Sequence, residues 1–169
     1  MKDLKKILGI LLIGLIVVFF CYPFLHELGH AIAIIITGST LYEVHLFPVP
    51  YVMCDSETVG KFGGAVIGVS GMLLPFAFSI LLSRKRFWLW LFSFYFKGVS
   101  ALAFALSYVA VLCYESQIIW QNEDIVKTIE LSGISSSFWL ALMLTLFCIS
   151  VSSIYFNKPI KRIENFFEI

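Results

Sequence analysis

Apolar residues fill four long stretches of the chain, residues 7–37, 62–82, 87–113 and 135–156, and polar residues collect in the segments between them. At 1.5 Å of rise per helical residue, each is about long enough to cross the roughly 30 Å hydrocarbon core of a bilayer. The pattern predicts a mainly α, polytopic membrane helix bundle of about four spans, forming a single membrane-embedded domain over residues 1–169. The first stretch would reach about 46 Å if wholly helical, more than a crossing needs. Pro23 lies inside it and frees the carbonyl of Phe19, which predicts one long span kinked just before residue 24.

The intervening segments carry their own signals. Residues 40–47 are rich in strand formers and run into Pro48-Val49-Pro50, predicting a short strand with a partner near residues 56–61. In the second span Gly60, Gly64 and Gly68 recur every four residues, with Gly71 one turn further, a smooth ridge for close helix packing. Gly29 and Ala33 offer a second small-residue strip in the first span, and Pro75 predicts a kink in the second. Residues 114–133 are polar, with a helical period through Ile118, Ile125, Ile129 and Ser132, Asn122 as N-cap and Gly133 as stop. Residues 157–169 form an amphipathic tail suited to lie on the membrane surface as an anchor.

Composition agrees with a membrane protein. Hydrophobic residues make up 60%, charged residues 14%, and the mean hydropathy is +0.93, against soluble averages of about 45–50% and about 25%. The net charge of +1 comes with no basic stripe, so nucleic acid is not an expected partner. Cys21, Cys54, Cys113 and Cys148 include no C-x-x-C pair and read as reduced packing residues. The basic N-terminus imitates a secretory signal, but its apolar run continues into a polar motif, so the segment is expected to be retained. With four spans, Lys2, Lys5, Lys6, Arg84, Lys85, Arg86, Lys158, Lys161 and Arg162 fall on one side, leaving Lys61 and Lys127 opposite. That asymmetry places both termini in the cytoplasm.

The candidate chemistry lies within the first apolar stretch, in Phe24-Leu25-His26-Glu27-Leu28-Gly29-His30-Ala31. On a helix His26 and His30 project from one face and can grip one metal ion, with Glu27 beside them as general base toward water. Ionisable groups in an apolar span are costly and point to function. A catalytic zinc site needs a third protein ligand and an open position. Glu43, Asp55, Glu57, Glu115, Glu123, Asp124 and Glu130 all qualify by chemistry, whereas His45 reads as an ordinary strand residue. Lys97 interrupts the third span: either it serves a carboxylate near the metal or a peptide substrate, or the helix breaks at Gly98 and Lys97 snorkels to a head group.

The His motif, the following Thr37-Gly38, Gly63-Gly64, the stretch from Gly68 to Pro75, and Asn122-Glu123-Asp124 with Ser132-Gly133 together resemble the site-2 protease class of intramembrane zinc metalloproteases. The likeness is to small bacterial members, in which an aspartate heads a segment ending in Thr-Gly or similar nine residues later. It implies Zn2+ held by His26, His30 and Asp124, with Glu27 catalytic; by the residues alone Glu123, next to Asp124, is a rival ligand, and Asn122 and Lys97 are candidate accessory residues. It further implies a membrane protein or peptide as substrate and a bacterial cytoplasmic membrane as location. The Leu-Asp-Gly motif of larger members is absent. The alternative is a non-catalytic membrane scaffold or metal-binding protein with a degenerate site. A metal carrier would place polar residues along a path through several spans, and these spans hold only scattered Ser and Cys beyond Lys97 and the His motif.

Overall fold

The first apolar run folds as one helical path with a single irregular turn: α1 (Lys2–Ile16), a π-helical turn (Val17–Cys21) and α2 (Tyr22–Ile36). Pro23 stands in the first turn of α2, and the Tyr22 N–H donates to the Val17 carbonyl, five residues back. A proline ring collides with the carbonyl four residues before it, and widening the preceding turn by one residue relieves that clash. A π turn thus stands just before Pro23, where the kink is expected. The computed structural model describes residues 2–46, 50–55, 59–82, 85–118 and 124–168.

A small antiparallel sheet follows, β1 (Leu41–His45) with β2 (Tyr51–Cys54), its register irregular between Leu41 and Glu43. The first strand lies where its composition places it. Its partner is Tyr51-Val52-Met53-Cys54, directly after Pro50; of the expected stretch, residues 56–58 lie outside the described residues. β1 ends at His45, before the Pro-rich stretch as expected, and Lys61 already belongs to the next helix. Tyr, Val and Met suit a pleated surface better than the polar residues after them.

The remaining elements are α3 (Lys61–Leu81), α4 (Phe87–Glu115), α5 (Asp124–Ser132), α6 (Ser136–Phe156) and α7 (Pro159–Glu168). α3 continues through Pro75, and α4 continues unbroken through Gly98. Lys97 therefore does not snorkel at a helix break. It is 1% exposed, and its backbone carbonyl accepts from Ser150 Oγ on α6 at 2.9 Å. α5 stops at Gly133, whose φ of +62° suits glycine and whose N–H donates to the Ile129 carbonyl at 3.0 Å. Among the described residues, the helices long and apolar enough to cross a membrane are Asp3–Ile36, Lys61–Leu81, Phe87–Glu115 and Ser136–Glu168, the last joining α6 to α7.

Two buried clusters hold the bundle. Met72, Phe76, Phe104, Ile125, Trp139 and Met143 belong to the larger one, where α3 to α6 meet. Val17, Tyr22 and Phe96 form the smaller, tying the first helical path to α4. Large apolar side chains such as Phe19, Phe24, Ile36, Leu102 and Phe156 point outward, as lipid-facing surfaces require. At one end Lys6 Nζ donates to the Phe166 carbonyl at 2.9 Å, and Phe166 stacks on Phe87 with ring centres 3.8 Å apart. The N-terminal helix, the start of α4 and α7 thus share one end of the bundle, consistent with the grouping of basic residues.

Close approach between helices rests on particular glycines. A Cβ at Gly29 would run into the backbone carbonyl of Ser70 on α3, and one at Gly64 would lie 2.9 Å from Leu131 Cβ on α5. Gly68 faces Thr128 of α5 with no room for a methyl group, whereas Gly60 meets nothing and serves as the N-cap of α3. Because a backbone carbonyl cannot rotate away, Gly29→Ala is expected to lower stability by about 1–3 kcal/mol. Gly98, with open space around it, is the control: Gly98→Ala should be neutral or stabilising by up to about 1 kcal/mol. Reversible unfolding in detergent micelles measures both.

Candidate metal centre

The inward face of α2 is set by helical spacing: Tyr22, His26, Gly29, His30 and Ala33 follow one another at three- and four-residue steps. Of these only His26 is half-buried, and the rest are buried. This face lies against α3, where the lack of a side chain at Gly29 brings the backbones together. At Gly71 a Cβ would overlap His30 Nε2 and come within 2.9 Å of His26 Cε1. Both imidazoles occupy the space a larger residue at 71 would fill.

α5 supplies the carboxylate. Asp124 is its first residue, where the partial positive charge of the helix N-terminus favours an anion. Thr128 Oγ1 donates to the Asp124 carbonyl at 2.6 Å and is itself seated against Gly68. The height of α5 along α3 is thereby tied to the position of Asp124.

The three donor atoms converge. His26 Nε2 lies 3.0 Å from Asp124 Oδ2, His30 Nε2 3.3 Å from the same oxygen, and the two Nε2 atoms are 3.1 Å apart. Tetrahedral ligands held at about 2.0–2.1 Å from one ion stand about 3.3–3.4 Å from each other. His26, His30 and Asp124 can therefore hold a metal ion. The tautomer of His30 suits the role: its Nδ1–H donates to the Ile67 carbonyl at 2.7 Å, which leaves the Nε2 lone pair facing the other donors. Partial burial opposes ionisation of Asp124, but the adjoining His26 and His30 outweigh it and hold the carboxyl below the usual carboxylate range. It is an anion at neutral pH. Its side chain remains 43% exposed and that of His26 20%, so the centre is open on the α5 side.

Glu27 follows His26 on α2 and interacts electrostatically with His26, His30 and Asp124. Lys97 is buried on α4, and its backbone carbonyl accepts from Ser150 Oγ of α6 at 2.9 Å. His45 stands apart, stacked on Tyr51 with ring centres 5.0 Å apart, and Glu43 accepts from the Tyr51 hydroxyl at 3.2 Å. Asn122, Glu123 and Glu57 lie outside the described residues. Sequence reasoning did not find Ile67, whose carbonyl orients His30 and also accepts from Ser70 Oγ at 2.6 Å, nor Thr128. A backbone carbonyl carries no side-chain signature, whereas Thr128, one turn after Asp124 on the same helix, was findable from spacing.

No protein-family model, curated protein or solved structure matches the chain.

One divalent ion per chain is expected in detergent-purified protein by elemental analysis, with occupancy falling sharply in His26→Ala, His30→Ala and Asp124→Ala. Gly71→Ala removes no donor but displaces both imidazoles. It should weaken metal affinity about 10–100-fold in a chelator competition titration, the range for lost supporting contacts around a metal. Unchanged affinity in Gly71→Ala would contradict this geometry.

Proposed function

We propose that the protein is an intramembrane zinc metalloprotease, hydrolysing a peptide bond in a membrane-spanning or membrane-adjacent segment. The observation that carries this reading is the convergence of His26 Nε2, His30 Nε2 and Asp124 Oδ2 with Glu27 alongside. Two imidazoles and a carboxylate are a donor set of catalytic zinc sites, which keep a further position open. Zinc held there supplies Lewis acidity, acidifying water and polarising a carbonyl. Glu27 takes a proton from the attacking water at its carboxylate and delivers it to the leaving amine nitrogen, while the water oxygen bonds to the carbonyl carbon. His30 is kept in the required tautomer by the Ile67 carbonyl. Water reaches the centre from the α5 side, where Asp124 is partly exposed.

A peptide in a helix has its carbonyls engaged, so the substrate must be extended at the point of cleavage. Both β1 and β2 contact α2, the helix that carries the His motif, and an edge of this sheet offers backbone donors and acceptors to an added strand. An apolar groove of about 920 Å³ beside the hairpin, bordered by Phe19, Pro23, Phe24, Leu46, Pro50 and Phe96, accommodates the apolar flank of such a segment. The basic end of the bundle is assigned to the cytoplasm of a bacterial membrane, which puts both termini there.

Glu27→Gln separates catalysis from metal binding. The variant should retain one zinc per chain yet cleave reconstituted membrane-segment peptides about 10²–10⁴-fold more slowly. If it cleaves at the native rate, the proteolytic mechanism is wrong. If native protein binds zinc but neither it nor the variant cleaves, the reading gives way to a scaffold with a degenerate site.

A further inference from the structure

The bundle end remote in function from the metal centre carries a built surface of its own. After α6 the chain turns at Asn157 and Lys158, the latter with φ +48°, and α7 crosses to the start of α4. There Arg162 lies over the Trp90 ring at 5.5 Å, and Phe166 stacks on Phe87. Two recesses border the crossing. One, of about 370 Å³, is lined by Lys85, Phe87, Arg162, Asn165 and Phe166. The other, of about 410 Å³, is lined by Phe156, Asn157, Lys158, Lys161, Arg162 and Asn165. Arg162 and Asn165 border both, and neither lining contains an acidic residue among the described residues.

The second recess shares Phe156, Lys158, Lys161 and Asn165 with an apolar slot of about 700 Å³ along α6, walled by Val151, Ile154, Tyr155 and Ile160. Glu164 also lines this slot. A cationic, amide-bearing recess that shares Lys158, Lys161 and Asn165 with an apolar slot beside it matches an amphiphile with an anionic head and an acyl tail. A zwitterionic head would bring its own cation against Lys158, Lys161 and Arg162, and a free anion would leave the slot unused.

We propose that this end of the bundle is a binding site for an anionic phospholipid. The phosphate sits among Lys158, Lys161 and Arg162, Asn165 donates through its side-chain amide, and one acyl chain lies against Ile154 and Tyr155. Basic recesses between membrane helices suit anionic head groups for the same electrostatic reason. The site does not depend on the proteolytic reading.

The test uses full-length protein in nonionic detergent, titrated with dioleoyl phosphatidylglycerol or dioleoyl phosphatidylcholine and read by native mass spectrometry. Phosphatidylglycerol should be retained about tenfold better than phosphatidylcholine, and millimolar inorganic phosphate should not displace it. The triple variant Lys158→Gln, Lys161→Gln, Arg162→Gln should lose the preference. Ile154→Trp, which fills the slot and leaves every charge in place, should weaken binding of both lipids, and Lys161→Arg should bind as native. Lys127→Gln, an exposed cation on α5, is the control and should also bind as native. Equal retention of the two lipids overturns the proposal. So does full displacement by phosphate, which reduces the site to a simple anion patch, or native binding by both the triple variant and Ile154→Trp.

Discussion

Three atoms bearing lone pairs, two imidazole nitrogens and a carboxylate oxygen, are held within 3.3 Å of one another between α2 and α5. Such donors repel unless a proton or a cation lies among them, so their convergence must be imposed by the surrounding packing. The imposition is steric. α2 meets α3 backbone to backbone at Gly29, α5 meets α3 at Gly64 and Gly68, and Gly71 leaves space for both imidazoles. The ridge on α3 therefore does more than allow helices to approach: it sets the height and separation of the elements that bring the donors together.

The same logic explains the interior of the bundle. In lipid an apolar side chain gains little by turning inward, so small residues and satisfied polar groups decide which faces meet. Ser93, Ser100 and Ser107 recur at seven-residue steps on α4 and are all buried. Ser93 Oγ donates to the Ser79 carbonyl of α3 at 2.7 Å, and Ser107 Oγ contacts Met72 Sδ at 3.2 Å. Ser150 Oγ of α6 donates to the Lys97 carbonyl at 2.9 Å. The hydroxyl groups of Ser93, Ser107 and Ser150, which would be a cost on the lipid face, become cross-links inside, and they register α4 against α3 and α6. The π turn ahead of Pro23 belongs to the same economy of backbone satisfaction, since the Tyr22 amide keeps a carbonyl partner while the proline ring is accommodated.

Much of this was legible in the residues. The spans were visible because apolar length is a local property, and His26, Glu27 and His30 because a four-residue helical step places side chains on one face whatever the rest of the chain does. Gly133 as the end of α5 followed from its tolerance of positive φ. Other features were not local. The hairpin partner was expected at residues 56–61, but two stretches of comparable length compete for β1 and the choice falls to side-chain fit across the pair. Lys97 read as either reactive or snorkelling; it is buried on an unbroken α4, an outcome set by which face of α4 turns inward.

By itself, then, the sequence determined the class of fold, the four apolar spans and the paired imidazoles, because each depends on periodicity and composition within one segment. Only the tertiary structure decided that Asp124 closes the group, since that requires α5 to dock on α3 at the single height where Thr128 meets Gly68. It also decided that Ile67, through a backbone carbonyl no side-chain pattern records, orients His30. Contacts between segments distant in the chain follow from steric fit, and steric fit is a property of the assembled surfaces.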